Sequence, residues 1–227
     1  MADKKREIVI PSQLLGETKD IKPGNGTFVE GGKIYSDILG VVNRNSNYIN
    51  VVPIKGKYEP AERDFVIGVV QEPLSSAWLV DINAPYPALL HVNEVPWNVD
   101  FGETERYLNY GDCIMAKVLS VDQEKKLQVT LKDRNLYKIK GGLIIDVEPS
   151  KVPRIIGKKG SMIALLKKYT NCRIFVGQNG RVWIDGDDAG VAKIIEIIKK
   201  IQEESLTYGL TNKIEELLKN IQDGNIR

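Results

Sequence analysis

The stretch Gly157-Lys158-Lys159-Gly160 has the residue types and the spacing needed to hold a phosphodiester. Glycine lets the backbone turn tightly and come close to a ligand that a side chain would keep away. The two lysines between the glycines supply positive charge, and the N-terminus of a following helix would add amide donors and a favourable dipole. We therefore expect an anion-binding loop at these four residues.

Isoleucines flank this loop on both sides. Ile155 and Ile156 precede it directly, and Ile163 follows it within a helical pattern. One interpretation makes these three side chains an apolar floor on which the bases of a nucleic acid rest. The other interpretation, which stays equally open, assigns two of the three to the protein core.

The charge around the loop is one-sided, although the whole chain carries a net charge of only +2. Residues 149–184 contain no acidic residue, and such a local field attracts a polyanion. The alternative is a basic face that only meets solvent. The basic residues of this stretch are Lys151, Arg154, Lys158, Lys159, Lys167, Lys168, Arg173 and Arg181.

Composition removes most catalytic possibilities. His91 is the single histidine, which excludes a metal site with two histidines, and Cys113 and Cys172 are too few for a zinc site of four cysteines. The phosphate-binding, dinucleotide-binding and nucleophile-elbow motifs are all missing. The sequence thus favours a binding protein over an enzyme, and we predict no catalytic residue, no metal ligand and no cofactor.

Other features bear on compartment. No run of about 20 apolar residues occurs, so we expect no membrane span. The charged residues 1–7 have no apolar signal core behind them, which argues against secretion. Two cysteines do not make a disulfide framework, and the expected location is the reducing cytoplasm.

The elements that must position these residues fall into three segments, within the one to three domains expected for 227 residues. Residues 1–62 consist of short apolar runs broken by Gly, Pro and Asn, which is typical of a small β domain. Residues 38–42 and 48–52 predict a hairpin. The segment has too few apolar residues for a large core, and we expect it to pack on a neighbour.

Residues 63–136 predict five strands with long middle loops, a pattern that suits an OB-type barrel. Gly68, inside the first of them, indicates a bend or a bulge. The predicted strands are 65–70, 78–82, 88–92, 113–121 and 127–131.

In residues 137–227 the spacing of apolar residues changes to include helical repeats, which predicts an α+β domain after the two mainly β domains. The predicted order is a strand, a helix, the Gly157–Gly160 loop, a second helix that Ser161 can N-cap, a hairpin and a long helix. The hairpin joins residues 173–176 and 181–184, and the long helix covers about 187–204. The amphipathic tail at about 211–221 is expected to be weakly attached, either helical or ordered only on contact with a partner.

This order, with the letters I-I-G-K-K-G at the loop, resembles the K-homology domain. The resemblance implies binding of nucleic acid at the loop and its flanks. The residues that it assigns to RNA are Lys151, Arg154, Ile155, Ile156, Gly157, Lys158, Lys159, Gly160 and Arg173.

The middle segment resembles the S-one-type OB fold, an RNA-binding module. The resemblance implies that Trp78 and His91 project from the barrel face to stack on bases, and that Lys132 and Arg134 follow the RNA backbone. The family often has another aromatic residue where Ser75-Ser76 stand, and the segment carries a net charge of −4. The alternative is a partly buried Trp78 in a domain that is mainly scaffold. The matching residues are 67–70, 77–82, 89–92, 110–112 and 118–122.

The first segment resembles the N-terminal domain of RNA-exosome cap subunits, at residues 9–15, 24–29, 32–36 and 38–40. With the two modules that follow, the whole chain resembles archaeal cap subunits of the K-homology-containing, ribosomal-RNA-processing type. The resemblance implies a non-catalytic cap of three subunits on a hexameric ring of RNase PH-like subunits. The sibling cap subunit has a zinc ribbon in place of the K-homology domain, and the two cysteines of this chain cannot build one. Such a cap recruits single-stranded, A-rich RNA and threads its 3′ end into the ring, and we expect the N-terminal domain to contact that ring.

Two other functions stay as alternatives. A free-standing, ribosome-associated or translation-regulating adaptor could use the same two modules on structured RNA without binding such a ring. A nuclease acting alone is disfavoured because the sequence offers no cluster of carboxylates for a metal.

Overall fold

The computed structural model describes residues 7–44, 47–122, 126–204 and 209–222. The chain divides into two compact units, residues 1–56 and residues 57–227. The first is unit 1, and the second, which contains both a barrel and an α+β domain, is unit 2. None of the described helices is both long and apolar enough to cross a membrane.

Unit 1 consists of two small antiparallel-rich sheets, ordered β1-β6-β7-β3 and β2-β5-β4. The predicted hairpin is confirmed as β6 and β7, which pair antiparallel with Val41 opposite Val52. Its core is small, as expected from the composition: Val9, Leu15, Ile34, Ile49 and Val51. The strands are β1 (Ile8–Val9), β2 (Leu14–Glu17), β3 (Lys22–Pro23), β4 (Thr27–Glu30), β5 (Lys33–Ser36), β6 (Gly40–Arg44) and β7 (Tyr48–Pro53).

The first part of unit 2 is a closed five-stranded barrel in the order β10-β12-β11-β8-β9, which confirms the OB-type prediction. Parallel pairing of β10 with β12 closes the barrel, and all other pairs are antiparallel. The strands are β8 (Phe65–Pro73), β9 (Ala77–Asp81), β10 (Ala88–His91), β11 (Cys113–Val121) and β12 (Leu127–Thr130).

Gly68 is required by close packing inside this barrel. It pairs in register with Ile114, and the irregularity in β8 lies between Val70 and Glu72, so the strand has the expected bulge but after Gly68 and not at it. A Cβ at position 68 would lie 2.3 Å from Cγ1 of Val80. A side chain here would force its neighbours to shift because the barrel interior is filled.

The second part of unit 2 is an α+β domain with the predicted order of elements. Its antiparallel sheet has the order β13-β15-β14, and buried isoleucines of α3, such as Ile194, Ile198 and Ile201, belong to its core. The elements are β13 (Leu143–Asp146), α1 (Val152–Ile156), α2 (Ser161–Thr170), β14 (Arg173–Val176), β15 (Arg181–Asp185), α3 (Asp188–Glu203) and α4 (Leu210–Gln222).

Two predictions for this domain are corrected. Ser161 is the first residue of α2 rather than its N-cap; Gly160 holds that position in the left-handed region, without a side-chain hydrogen bond. The tail is not weakly attached, because Leu210, Ile214 and Leu218 of α4 are buried in the domain core. Their four-residue spacing forms one apolar face, which packs into the domain core.

Replacing Gly68 by alanine should destabilise unit 2 by about 1–3 kcal/mol, because the added methyl group meets Val80. The measurement is urea unfolding with tryptophan fluorescence as the signal, since Trp78, Trp97 and Trp183 all lie in unit 2.

A double-mutant cycle provides the control. Val80→Ala alone should also destabilise the barrel, but the pair Gly68→Ala with Val80→Ala should lose less than the sum of the two changes. Simple additivity would show that the two positions do not compete for space.

Candidate nucleic-acid interface

The Gly157–Gly160 turn is fixed by backbone conformations that need glycine. Gly157 has φ +75°, and a Cβ there would lie 2.7 Å from the amide nitrogen of Met162. Gly160 has φ +77°, and its amide donates to the carbonyl of Gly157 at 3.1 Å. Between them, Lys159 itself is left-handed at φ +53°. The turn therefore places both lysines outside the fold.

The lysines of this turn are exposed, and so are Lys167 and Lys168 of α2. In the described ranges, no carboxylate lies within ion-pairing distance of any of these four ammonium groups. Arg154 and Lys151 precede the turn in the chain, within or beside α1, and both are half-buried. The four exposed lysines, Lys158, Lys159, Lys167 and Lys168, can bind the phosphates of a single-stranded nucleic acid with release of counterions.

The expected apolar floor is only partly available. Ile155 is fully buried in the core of the α+β domain, so its assignment to a ligand surface is wrong. Ile155 faces inward because the short helix α1 packs against α2 and α3, and Ile155 belongs to the core that they share. Ile156 and Ile163 are half-buried at the edge of the same core, and their contact with bases stays a prediction.

Two arginines of the basic stretch already have partners. Arg173 on β14 is exposed, but it pairs with Asp185 and its guanidinium lies 5.5 Å from the ring centre of Trp183. Arg181 on β15 pairs with Asp81 of the barrel and is largely buried. The field of the stretch therefore comes mainly from the lysines.

Trp78 is the clearest correction in the barrel. Its side chain is fully buried, and its indole N–H donates to the carbonyl of Leu108 at 3.0 Å. It stands opposite Leu90, which is also fully buried, so this row of β9 and β10 faces the interior. A ring in this position cannot stack on a base, and replacing it would damage the core.

The other predicted barrel residues meet at one end of the barrel. His91 follows the inward-facing Leu90 on β10 and therefore faces outward, where it is half-buried. Its Nδ1 accepts a hydrogen bond from the amide N–H of Asn93 at 3.1 Å. Because β10 and β12 run parallel, their carboxyl ends lie side by side. Lys132 and Arg134 follow β12 there and are exposed.

Sequence reasoning missed the contact that joins the barrel to the α+β domain. Asn179, in the turn between β14 and β15, is fully buried. Its Nδ2 donates to the carbonyls of Ile67 at 2.8 Å and Ile82 at 2.9 Å, and its Oδ1 accepts the amide of Ile67 at 3.3 Å. The β8–β9 ladder ends at the pair Val69–Asp81, so these backbone groups have no partner within it.

Further bonds strengthen this joint. The carbonyl of Asn179 accepts Nδ2 of Asn83 at 2.8 Å, and the amide of Gln178 donates to the carbonyl of Phe65 at 2.8 Å. Nη1 of Arg181 donates to the carbonyl of Asp81 at 2.7 Å. Trp183 of β15 packs into the barrel core. The α+β domain, which carries the Gly157–Gly160 turn, and the barrel are therefore held together at a fixed separation.

Comparison with known proteins agrees with this architecture. Residues 6–55 match the family model described as the exosome RNA binding protein RRP4 N-terminal domain, and residues 142–190 match the KH domain. The exosome complex component Rrp4 of Methanosarcina mazei is 47% identical over 95% of this chain and 82% of its own. That of Picrophilus torridus is 42% identical over 97% of this chain and 95% of its own.

A solved structure is also similar. A crystal structure described as that of an exosome complex RNA-binding protein superposes with a TM-score of 0.67 at 35% identity. The match covers 75% of this chain and 100% of the solved one.

Reversing the charge of the loop, by Lys158→Asp with Lys159→Asp, should weaken binding of single-stranded RNA regardless of its sequence. If each lysine neutralises one phosphate, the slope of log K against log salt becomes shallower by about 1.4. The measurement is fluorescence anisotropy of a labelled RNA at several salt concentrations.

The matched control is Lys19→Asp with Lys22→Asp, two exposed lysines of unit 1 that change the net charge equally. Equal effects of the two pairs would show that total charge, and not the loop, controls affinity.

Replacing Asn179 by alanine should destabilise unit 2 by at least about 2 kcal/mol, because buried backbone groups of the barrel lose their partners. The measurement is urea unfolding of the full chain. Gln178→Ala is the control, with an expected change within about 0.5 kcal/mol, since its backbone N–H makes the bond to the barrel. A neutral Asn179→Ala would contradict the importance of the joint.

Proposed function

The chain belongs to the Rrp4 family of exosome complex components, and on this premise we propose that it is a non-catalytic, RNA-binding cap subunit of the exosome. In this role it acts in the cytoplasm, recruits single-stranded, A-rich RNA and threads the 3′ end into a hexameric ring of RNase PH-like subunits for 3′-to-5′ degradation. The observation that carries the proposal is the exposed Gly157–Gly160 turn, whose lysines lie within ion-pairing distance of no described carboxylate.

The environment of the two most reactive side chain types supports binding rather than catalysis. His91, the single histidine, uses Nδ1 to cap a short helical turn. Burial raises the pKa of the Cys113 thiol, which keeps it protonated at neutral pH and so a poor nucleophile. The proposed role needs neither group to transfer a proton or to attack a substrate.

The fixed joint inside unit 2 supports threading. A single-stranded RNA that leaves the Gly157–Gly160 turn meets the barrel at a fixed distance. The bonds of Asn179 and Arg181 hold the α+β domain and the barrel together. Each contact alone is weak, but linking them, and repeating them in a trimeric cap, raises the effective concentration of binding sites.

Unit 1 presents a surface suited to the ring. Leu14, Tyr35 and Phe28 stand directly opposite one another across β2, β5 and β4, so they form one row on one face. The rings of Phe28 and Tyr35 stack with centres 5.5 Å apart, and Leu14 is 52% exposed. An exposed apolar row of this kind is typical of a protein contact site.

Changing this row to serine, by Leu14→Ser with Phe28→Ser, should weaken association with the ring by about tenfold or more while RNA binding by unit 2 persists. Loss of buried apolar area is the physical reason. The measurement is titration of the ring with the labelled variant. Val52→Ser, an exposed apolar position on the other sheet, is the control, and an equal loss there would place the contact elsewhere.

The direct test of the proposal is native mass spectrometry of this chain mixed with an RNase PH-like hexamer. A discrete species that carries three cap subunits supports the cap. No complex, with RNA binding intact, would instead favour the free-standing adaptor. Shortening of labelled RNA by the pure chain in phosphate would contradict the non-catalytic role.

A further inference from the structure

The barrel has exposed aromatic rings in places that the sequence did not single out. With Trp78 in the interior, the most exposed aromatic side chains of the described barrel residues are Phe101 at 84% and Tyr110 at 82%. Both rings lie in the connection between β10 and β11, one before and one after the short helical turn Thr104–Arg106. Phe101 follows Asp100 in the loop between β10 and β11, whereas Tyr110 lies at the turn just before β11.

The loop that carries Phe101 is held in place, so its ring is presented and not merely unpacked. The amide of Gly102 donates to the carbonyl of Ser75 at 2.9 Å, and the hydroxyl of Thr104 donates to the carbonyl of Leu74 at 2.6 Å. Gly102 has φ +83°, which favours glycine directly after the aromatic residue.

This loop lies at the barrel end that carries the outward-facing His91. The carbonyl of Ser75 holds the Phe101 loop, and the carbonyl of the next residue, Ser76, accepts the amide of Val92 at 3.0 Å. Phe101 and His91 thus flank the same turn between β8 and β9. Lys132 leaves the neighbouring β12 at that end, where the amide of Leu131 donates to the carbonyl of Glu94 at 2.8 Å.

A cavity of about 470 Å³ is lined by Asp100, the residue directly before Phe101, and by Lys132. Its volume falls within the range of small-molecule sites. The polar residues that line it are Asn93, Asn98, Asp100 and Lys132, and Trp97 forms part of its wall. Among the described residues, the ammonium group of Lys132 has no carboxylate within ion-pairing distance.

Trp97 adds an independent observation. Its indole ring stacks on Tyr107 with centres 6.0 Å apart, and its buried N–H has no acceptor among the described residues. A buried donor without a partner costs free energy, and such groups in native proteins usually have a bound water or ligand as acceptor. Because this N–H is almost inaccessible, Trp97 contributes its stacked ring, and not the donor, to the wall of the cavity.

We propose that Phe101 and this cavity form a binding site for one nucleotide of a single-stranded RNA, with the base stacked on Phe101 and a phosphate held by Lys132. The carboxamides of Asn93 and Asn98 can bond to base edges. The carboxylate of Asp100 repels phosphate, but it can accept from a base amino group or a ribose 2′-hydroxyl, both of which RNA offers.

The surroundings of Phe101 favour a nucleic acid over a protein partner. The core of a protein interface is an apolar patch, whereas Phe101 is a single ring between exposed Asp100 and Gly102. One exposed ring beside polar groups and a lysine is the arrangement that binds a base by its face. The site rests on the proposed RNA-binding function and adds to the Gly157–Gly160 turn a second contact at a fixed separation.

The test compares variants of the full chain in binding a labelled single-stranded RNA by fluorescence anisotropy. Phe101→Ala should raise Kd by about 5- to 150-fold, the range measured for loss of one stacked base, and Phe101→Trp should restore binding. Lys132→Ala should make the salt slope shallower by about 0.7. Tyr110→Ala, which removes an equally exposed ring outside the cavity, should leave Kd unchanged.

Failure of this site and failure of the RNA-binding function are distinguishable. If the wild-type chain binds RNA and the Lys158→Asp, Lys159→Asp pair weakens it while Phe101→Ala does not, only the nucleotide site is wrong. If Phe101→Ala weakens assembly with the ring and leaves RNA affinity unchanged, Phe101 belongs to a protein contact. If the wild-type chain does not bind RNA, both proposals fail.

Discussion

The buried carboxamide of Asn179 is the interaction on which the arrangement of unit 2 depends. Where the β8–β9 ladder ends, the barrel leaves backbone groups of Ile67 and Ile82 that need partners, and this side chain supplies them from a different domain. A buried amide without partners would be unfavourable on either side, so each domain needs the other in this register. The joint therefore converts two small RNA-binding folds into one body.

This joint also explains how the charges are divided. Arg181 belongs to the basic stretch by sequence, yet it pairs with Asp81 and serves the joint. The lysines at and after the Gly157–Gly160 turn remain exposed, so the positive field is concentrated on the KH part. The barrel segment is acidic overall, and it offers the exposed aromatic side chain of Phe101 and a polar cavity instead.

A single-stranded RNA that is held by phosphate contacts at one place and by base contacts at another gains affinity without any requirement for sequence readout.

Much of this architecture was predictable because its signals are local. Alternating strands, turn residues and the period of α3 specify elements from neighbouring residues alone. Trp78 was misassigned because the side of a strand that faces inward depends on its partner, here Leu90 across the ladder. Asn179 was overlooked because a polar turn between two strands is typical of an exposed connector, and its partner Ile67 is 112 residues away. The attachment of α4 likewise depends on the surface that its apolar face meets.

The measurement that tests the central claim most directly is RNA degradation by an RNase PH-like ring in phosphate, with and without this chain. We expect the chain alone to degrade nothing and the chain bound to the ring to accelerate degradation of a single-stranded RNA. With the Lys158→Asp, Lys159→Asp pair, the ring complex should still form but the acceleration should disappear. Undiminished acceleration by that variant, or degradation by the chain alone, would contradict a non-catalytic cap that delivers RNA through the KH turn.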